Sequence, residues 1–475
     1  MLIGRKEPIK KMRELLNSRK SEFLAVTGRR RVGKTYLIDE VYKEHLCFRM
    51  TGIQDATIDQ QLFNFQQKIT EYSELNIFTT PSNWQEAFLI LKSYLKTLKK
   101  DKKRVIFIDE LPWVATARSG FLQLLAHLWN DYLSKEKHFI LVVCGSSTSW
   151  IVDHVMNDTG GLHNRITESI NLPVFNIQEA GELLKCNGIH LTAQELTKTY
   201  MILGGIPFYL EQLRKGENST TAIERLCFSP TGILRDEYNH LFKALFKNPE
   251  HHETMIEALA NAAEGLTHHQ IIENTDIPDG GTYNRTKEDL MLSGFIEERI
   301  PFGHKKKEAI YKLVDEFSIF YHRFMKNNRK YTKGMWNQLA AKQTYKIWQG
   351  FAFESFCYKH IQQIKDALGI GAVYTEISIL RIAGDESSKG FQIDLIIDRA
   401  DNTINLCEMK FYDAKFKINK SYAMRLAQRK QDFIEHTQTK KQVFTTLIST
   451  YGISQNKYAQ AHLDAEVHLD QFIEV

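Results

Sequence analysis

The chain has 475 residues, of which 43% are hydrophobic and 25% are charged, and its formal net charge is +5. This composition is ordinary for a globular protein of roughly two to four domains, and the small net charge argues only weakly for a polyanionic partner. The six cysteines form no CxxC pair, no apolar run could span a bilayer, and Met1–Lys20 lacks the apolar core of a secretory leader. We therefore expect a cytoplasmic protein with reduced thiols and no membrane partner.

A phosphate-binding loop is predicted within residues 21–42, where an apolar strand, a glycine-bounded loop and an amphipathic helix follow one another. Gly28-x4-Gly33-Lys34-Thr35 matches the loop pattern at every defining position. Its backbone N–H groups would surround a phosphate, Lys34 would reach the β and γ phosphates, and the Thr35 hydroxyl would ligate Mg²⁺. The alternative is a glycine-rich turn with a chance lysine. We predict ATP and Mg²⁺ as ligands, with the nucleotide contacted by Gly28, Arg29, Arg30, Arg31, Val32, Gly33, Lys34, Thr35 and Tyr36.

Two further apolar strands end in polar residues that suit the same site. In KKRVIFIDELPW, residues 102–113, Asp109 would hold Mg²⁺ through water and Glu110 would orient and deprotonate the attacking water. HFILVVCGSS ends in Ser146 and Ser147, which would sense the γ-phosphate or align the water. Each stretch alone could be a buried strand with a solvated end. Together they predict a parallel α/β core that binds its ligand at the carboxyl ends of the strands.

Several stretches resemble the archaeal-type AAA ATPase family: MLIGRKEPIKKMRELL, VTGRRRVGKT, FIDELPW, CGSS and GGLHNRITESINLPVF. The resemblance implies a RecA-like nucleotide domain, a helical lid and a winged helix, often followed by a nuclease-like domain. It also implies that Arg165 contacts the γ-phosphate, either in its own subunit or across an oligomer. LGGIPFYL matches the Gly-Gly-x-Pro stretch of the family's lid, although a helix ended by Gly and Pro explains those residues equally well.

The spacing of apolar residues in the middle of the chain changes after a helical segment, residues 176–248. Residues 252–316 read as three helices and a two-stranded hairpin, which is the winged helix-turn-helix order. The third helix opens with Thr282, Tyr283, Asn284, Arg285 and Lys287, all able to reach a major groove, and the wing tip carries Lys305, Lys306 and Lys307. We predict double-stranded DNA as a partner. The alternative is a protein-contact module with a solvated lysine loop.

The hairpin FQIDLIIDRADNTINLCEMKFY, residues 391–412, carries charges inside apolar strands. If it turns about Asp401, Asp394 lies opposite Glu408, and Lys410 shares the face of Glu408. Two close carboxylates favour a divalent metal between them, and Glu354 from the preceding helix could add a third. The pattern resembles the PD-(D/E)xK nuclease superfamily, which implies Glu354, Asp394 and Glu408 as metal ligands and Lys410 as the catalytic lysine. The alternative is a Glu–Lys–Asp salt-bridge cluster on an exposed sheet face.

One basic segment lies at the start of this predicted domain and a second lies within it. Residues 326–346 contain six Lys or Arg and no acidic residue, and we place a domain boundary there. Residues 410–430 form a second basic strip, which suits contact with a phosphate backbone.

The fold class predicted is α/β, with four domains in sequence. They are a P-loop core with a parallel sheet (1–175), a helical lid (176–248), a winged helix-turn-helix (249–325) and a restriction-endonuclease-like α/β domain (335–475). We predict an ATP-hydrolysing ATPase that binds DNA and carries a Mg²⁺-dependent nuclease-like domain, with an oligomer possible. A nucleotide-controlled regulator with a non-cleaving nuclease-like domain is the alternative. A small-molecule kinase is less favoured because Glu110 suits water activation.

Overall fold

The computed structural model describes residues 2–73, 79–116, 118–157, 160–328, 332–382 and 390–473. The chain divides into two compact units. The first comprises Met1–Val174 with two short segments, Ala244–Lys247 and Leu292–Gly294, and the second comprises Phe175–Lys243, Asn248–Met291 and Phe295–Val475. The first unit therefore ends one residue from the end expected for the nucleotide-binding core, whereas the three further domains expected from the sequence share the second unit.

The first unit is built on a five-stranded sheet. Its strands are β1 (Glu22–Thr27), β2 (Leu46–Thr51), β3 (Arg104–Asp109), β4 (Phe139–Cys144) and β5 (Glu168–Asn171). Their order is β2-β3-β4-β1-β5, and every neighbouring pair is parallel. Three of the strands, β1, β3 and β4, were predicted. The other two are edge strands, and β2 escaped notice because its sequence, LCFRMT, includes charged and polar residues.

Helices cover both faces of this sheet, which is why the interiors of its central strands are apolar. One core cluster includes Phe23, Ile106 and Trp129, and a second includes Val26 and Phe107, so successive residues of a strand enter opposite cores. The helices of this unit are α1 (Lys6–Leu16), α2 (Lys34–Tyr42), α3 (Ile58–Ser73), α4 (Trp84–Thr97), α5 (Leu111–Val114), α6 (Phe121–Asp131) and α7 (Thr148–Ile151).

The second unit begins with a run of helices, as the periodicity of residues 176–248 predicts. Asn176 caps the first of them in a reciprocal capping box with Glu179, which satisfies two backbone donors at the helix start. The helices are α8 (Ile177–Cys186), α9 (Ala193–Leu203), α10 (Pro207–Leu210), α11 (Ser219–Ile223) and α12 (Glu237–Leu245).

Residues 249–325 then form helices and short strands in the order that the sequence indicates. The elements are α13 (Glu250–Asn261), β6 (Leu266–Thr267), α14 (His268–Glu273), α15 (Gly281–Leu292), β7 (Ile296–Arg299), β8 (Ile310–Leu313) and α16 (Glu316–Phe320). Strands β7 and β8 are antiparallel, and β6 completes a small sheet of order β6-β8-β7. Thr267 caps α14, because its hydroxyl accepts the Gln270 N–H. We call residues 249–325 the helix–strand module.

The carboxy-terminal part contains a second five-stranded sheet, of order β13-β12-β11-β10-β9. Its strands β9 to β11 are antiparallel neighbours, whereas β11, β12 and β13 run parallel. Residues 329–331 of the predicted basic boundary lie outside the described residues. The elements are α17 (Met335–Ala340), α18 (Gln343–Lys359), α19 (Ile361–Ala367), β9 (Thr375–Ile382), β10 (Phe391–Arg399), β11 (Thr403–Lys410), α20 (Lys420–Thr437), β12 (Gln442–Ser449), α21 (Lys457–His462) and β13 (Ala465–His468).

The helix–strand module packs directly on this second sheet. The Phe302 N–H donates to the Ile379 carbonyl at 2.7 Å, and the Phe302 ring lies 5.2 Å from the Phe433 ring in the core of the sheet. An ion pair of 2.7 Å joins Arg381 of β9 to Glu264 of the module. These contacts explain why the module and the carboxy-terminal sheet belong to one unit.

A buried histidine joins the start of the helical run to the carboxy-terminal helices. His360 accepts the Ile177 N–H at its Nε2, 3.0 Å away, so its Nδ1 must carry the proton that is donated to the Phe356 carbonyl. Burial lowers the pKa of His360 to about 3. The ring is therefore neutral in the folded protein.

In the part of the chain that the structure describes, no helix combines the length and the apolar character needed to cross a bilayer.

The second unit should lose stability as the pH falls below about 6.5, the ordinary histidine pKa. The unfolded chain takes up a proton at His360 there and the folded chain does not, so the contribution is complete above 6.5 and decreases toward pH 3. From pH 6.5 to 5 this amounts to about 2 kcal/mol. Native-state hydrogen exchange of the β11 amides measures it, and His360→Gln should flatten the pH slope by that amount. An unchanged slope in the variant would contradict this account.

Candidate functional site

The carboxyl ends of three adjacent strands bring the predicted nucleotide residues together. Because β3, β4 and β1 are neighbours and parallel, the segments that follow them meet at one edge of the sheet. The glycine loop follows β1, Asp109 ends β3, and Ser146 lies two residues after β4.

The first glycine of the loop is required by its surroundings. Gly28 has φ +134°, and a Cβ at this position would lie 2.4 Å from the Leu172 carbonyl oxygen. Gly33 has φ +90° and immediately precedes α2. Residues that carry a Cβ rarely adopt either of these backbone conformations. The loop thus has the close-packed, glycine-dependent backbone that a phosphate cradle needs.

The loop lysine lies inside the loop. Lys34 is buried, and its Nζ donates to the carbonyls of Gly28, at 2.7 Å, and Arg29, at 3.0 Å. The ammonium group is therefore held by loop carbonyls at the start of α2, where a helix N-terminus favours anions.

Thr35 and Asp109 form the oxygen pair that the sequence predicts for a magnesium ion. The Thr35 hydroxyl donates to Asp109 Oδ2 at 3.0 Å. Hydroxyl and carboxylate oxygens are the hard ligands that Mg²⁺ prefers, so this pair fits the ion chemically. Arg49 of β2 was not predicted. It binds Asp39 at 2.6 Å and lies 3.9 Å from Asp109 Oδ2, which gives the buried Asp109 a cationic neighbour.

The Glu110 side chain is bound by Ser146, and the Glu110 backbone has a strained conformation. Its Oε2 accepts hydrogen bonds from the Ser146 N–H at 3.0 Å and the Ser146 hydroxyl at 2.9 Å. Glu110 has φ +46°, a left-handed conformation that costs a residue with a Cβ about 1–2 kcal/mol. The sequence placed both residues near the attacking water but gave no sign of their direct contact.

The other residues predicted to contact nucleotide differ in exposure. Arg29 and Val32 are buried, Arg30 and Arg31 are half-buried, and Tyr36 is 50% exposed. Arg165 lies in an exposed turn before β5, and its side chain has no hydrogen bond or ion pair with another described residue. Its contact with the γ-phosphate therefore stays a prediction.

The carboxy-terminal hairpin has the predicted register. Leu395 pairs with Cys407 and Ile396 with Leu406, so the next position along places Asp394 level with Glu408. A β-bulge between Ile393 and Ile396, on the side facing β9, lies at Asp394. Bulges leave a residue of one strand without a partner on the neighbouring strand, so the pairing of β10 with β9 is interrupted at Asp394.

Basic partners and a tyrosine surround Glu408. It pairs with Lys410 at 2.7 Å, accepts a hydrogen bond of 2.7 Å from Tyr422, and pairs with Arg429. Burial acts to raise the pKa of Glu408, but Lys410 and Arg429 outweigh it and lower the pKa below its ordinary value. Tyr422 and Arg429 belong to α20, within the predicted basic strip, whose position against Glu408 the sequence did not reveal.

Glu354 and Asp394 share a separate small cavity. Its lining includes both carboxylates and Lys312 of β8. Burial raises the pKa of Glu354, and the neighbouring Asp394 raises it further, whereas Lys312 and Lys410 oppose the rise. Lys312 was missed because it lies in a different predicted domain, on a strand expected only to support a wing.

The predicted three-carboxylate metal site is not assembled. Across the described ranges, no three His, Cys, Asp or Glu side chains converge closely enough to hold a metal ion. Glu408 is near enough to act on Glu354 electrostatically, but its carboxylate is bound by the side chains of Lys410 and Arg429. Glu408 thus has the ion pairs expected of a salt-bridge cluster. The charges of Asp394 and Glu408 still act on Glu354, although the three carboxylates do not converge on one point.

The residues predicted to contact DNA divide into two groups. Arg285 and the wing residues Lys305, Lys306 and Lys307 are exposed. Lys287 is half-buried, with its ammonium over the rings of Tyr283 and Tyr311 at 5.4 and 5.3 Å. Tyr283 itself is fully buried, so the prediction that it reaches a major groove was wrong. Its ring stacks on the His268 ring at 4.2 Å and supports the module from inside.

Comparisons with known proteins agree with the geometry of the first unit. Residues 2–213 match the family described as an ATPase domain predominantly from Archaea. The chain is 25% identical over 423 residues to the uncharacterized protein MJECL04 of Methanocaldococcus jannaschii, covering 87% of this chain and 88% of that one. It is 25% identical over 266 residues to the uncharacterized ATP-binding protein MJ0632 of the same organism, covering 54% and 68%.

One solved structure shares the fold. The Walker-type ATPase PABY2304 of Pyrococcus abyssi superposes with a TM-score of 0.50 and 18% identity, over 68% of this chain and 96% of that one.

Gly28→Ala should weaken ATP binding at least tenfold, because the added Cβ would collide with the Leu172 carbonyl and displace the loop. Isothermal titration calorimetry with ATP and Mg²⁺ measures the effect. Gly120→Ala is the matched control, since Gly120 also has positive φ but no atom within 4 Å of an added Cβ. Equal ATP affinity in wild type and Gly28→Ala would show that the loop does not hold the nucleotide.

Proposed function

We propose that this chain, whose residues 2–213 match the family described as an ATPase domain predominantly from Archaea, hydrolyses ATP with Glu110 as the base and uses the cycle to control a DNA-binding second half. The observation that carries the proposal is the pair of contacts at one sheet edge. Thr35 bonds to Asp109, and Glu110 bonds to Ser146, so a metal-ligand pair and a positioned carboxylate lie side by side.

Each of these residues has a defined task in the proposed reaction. Glu110 accepts a proton from the attacking water, and the Ser146 hydroxyl and N–H orient the Glu110 carboxylate. Lys34 provides positive charge beside the phosphates, and Thr35 and Asp109 hold Mg²⁺, which neutralises phosphate charge when bound. Arg165 is exposed and is proposed to act on the nucleotide of a neighbouring copy.

The proposed partner of the second unit is double-stranded DNA. Residues 249–325 are proposed as a winged helix, supported by three helices followed by an antiparallel hairpin. The exposed Arg285 and the wing lysines Lys305, Lys306 and Lys307 would contact phosphates.

The carboxy-terminal residues 335–475 are proposed as a PD-(D/E)xK nuclease-like domain that uses Mg²⁺. The proposal is supported by the hairpin register, by Lys410 beside Glu408, and by the electrostatic proximity of Glu354, Asp394 and Glu408. Glu354, Asp394 and Glu408 would supply the oxygen ligands, and Lys410 would stabilise charge at the scissile phosphate.

A second candidate function is a nucleotide-controlled regulator whose nuclease-like domain binds DNA without cutting it. One observation favours it: Lys410 and Arg429 already occupy the Glu408 carboxylate, which makes Glu408 an ion-pair partner in this conformation. The two candidates share the ATPase and the DNA partner, and they differ only in strand cleavage.

Glu110→Gln should reduce steady-state ATP hydrolysis by a factor of about 100 or more and leave ATP affinity within about threefold, because the amide cannot accept the proton. Ser146→Ala should reduce hydrolysis by about tenfold, since Glu110 loses the hydroxyl contact but keeps the hydrogen bond from the N–H of residue 146. Phosphate release, measured beside ATP binding, separates the two effects. Wild-type turnover in Glu110→Gln would remove Glu110 from its assigned role.

Duplex DNA should stimulate ATP hydrolysis, and replacing Lys305, Lys306 and Lys307 together by alanine should weaken DNA binding and reduce the slope of log affinity against log salt by about two to three. Alanine at Lys96, Lys99 and Lys100, three exposed lysines of the first unit, removes the same charge and is the control. Fluorescence anisotropy at several salt concentrations gives the slope. Equal slopes for the two triple variants would reject the wing as a DNA contact.

Cleavage distinguishes the two candidate functions. Supercoiled DNA with Mg²⁺ or Mn²⁺ should be nicked or linearised by the wild type, and Lys410→Ala should lose this activity by about 100-fold or more. Intact DNA under these conditions, with DNA binding retained, would select the regulator.

A further inference from the structure

The cavity beside Glu354 and Asp394 is built from two predicted domains. Glu354 comes from α18 and Asp394 from β10, whereas Lys312 and Arg299 come from the helix–strand module. Arg381 of β9 completes the basic part of the lining. A site for the carboxy-terminal domain alone would not need residues from the module.

The module is fixed over the two carboxylates by contacts on several sides. The Arg299 guanidinium lies 3.6 Å from the centre of the Tyr358 ring, and the Phe302 N–H bonds to the Ile379 carbonyl. Glu264 pairs with Arg381 on another side of the cavity. The Lys312 side chain lines the same cavity as the acidic pair. Burial and the neighbouring Arg299 lower the pKa of Lys312, and the charges of Glu354 and Asp394 oppose that shift.

The volume of the cavity decides what can occupy it. The cavity measures about 20 Å³, which suffices for one water molecule. Mg²⁺ gives up its water shell reluctantly and is usually bound with several waters. A divalent ion that keeps its water shell therefore does not fit between Glu354 and Asp394 while the Lys312 side chain lines the cavity.

The charges in the cavity also disfavour a divalent ion. Two carboxylates in one small cavity repel each other unless a cation lies nearby. The module supplies two cations to the lining, Lys312 and Arg299, and Lys312 is the one whose charge acts on Glu354. Lys410 and Arg429 serve Glu408 in the same way. All three predicted metal ligands thus have cations of the chain as neighbours.

We infer that Lys312 is the internal counter-cation of the Glu354–Asp394 pair and excludes divalent metal from it, so that the helix–strand module locks the carboxy-terminal site until it moves away. This inference rests on the proposed metal-dependent nuclease-like site and adds its regulation. Duplex DNA that binds the module better when it is off the sheet would open the acidic pair to metal.

Binding of Mn²⁺ to the full-length chain tests the lock without relying on cleavage. The titration is done by calorimetry without nucleotide, in an Asp109→Asn background that removes the carboxylate of the amino-terminal metal site. Lys312→Met should bind Mn²⁺ about tenfold or more tightly than the same background with Lys312, because one competing charge is removed. Adding Glu354→Gln to Lys312→Met should abolish the gain, which locates the ion.

Two further variants separate charge from packing. Lys312→Arg keeps the cation and should bind Mn²⁺ as weakly as the parent. Lys346→Met, which removes an exposed lysine from the same helix as Glu354, should also match the parent. Circular dichroism of each variant establishes that it is folded.

Two results would overturn the inference, and only the second would also contradict the proposed metal site. Equal Mn²⁺ affinity in the parent and in Lys312→Met would show that the lysine excludes nothing, while the metal site itself would stand. No Mn²⁺ binding in folded Lys312→Met would show that the carboxylates are not a metal site, and the proposed nuclease function would fail with the lock.

Discussion

Parallel pairing of β3, β4 and β1 is the constraint on which the amino-terminal site depends. These strands are neighbours in space although they are separated by many residues in sequence, and parallel strands end at the same edge. The pairing brings the loop lysine and Asp109 together with Glu110 and Ser146, although the three segments are distant in the chain. A change in strand order would separate Glu110 from Ser146 and Thr35 from Asp109.

A different constraint shapes the second unit. The helix–strand module and the carboxy-terminal sheet share a hydrophobic contact through Phe302 and an ion pair through Arg381, so they behave as one packed body. Their common cavity mixes basic and acidic side chains from both. In such a body the state of the carboxylates depends on whether the module is docked, which gives the fold a physical means of control.

The sequence predicted the chemistry of single segments more fully than the contacts between segments that are distant in the chain. The phosphate loop, Asp109 and Glu110 were predictable because local spacing indicates a strand–loop–helix unit, and the hairpin register followed from placing its turn at Asp401. Lys312 and Arg429 could not be assigned to the acidic cluster, because their proximity arises from packing between distant segments. Tyr283 was wrongly predicted for a related reason. A tyrosine on a helix suits a DNA major groove and a protein core equally, and its burial depends on neighbours such as His268.

Mg²⁺-dependent release of phosphate from ATP, with no acceptor added, shows whether the amino-terminal site hydrolyses ATP when wild type is compared with Lys34→Ala. The account predicts multiple turnovers by the wild type and loss of turnover in the variant, because Lys34 is the only residue of the loop that provides an ammonium group. No phosphate release by folded wild type, with or without duplex DNA, or equal rates in the two proteins, would contradict it.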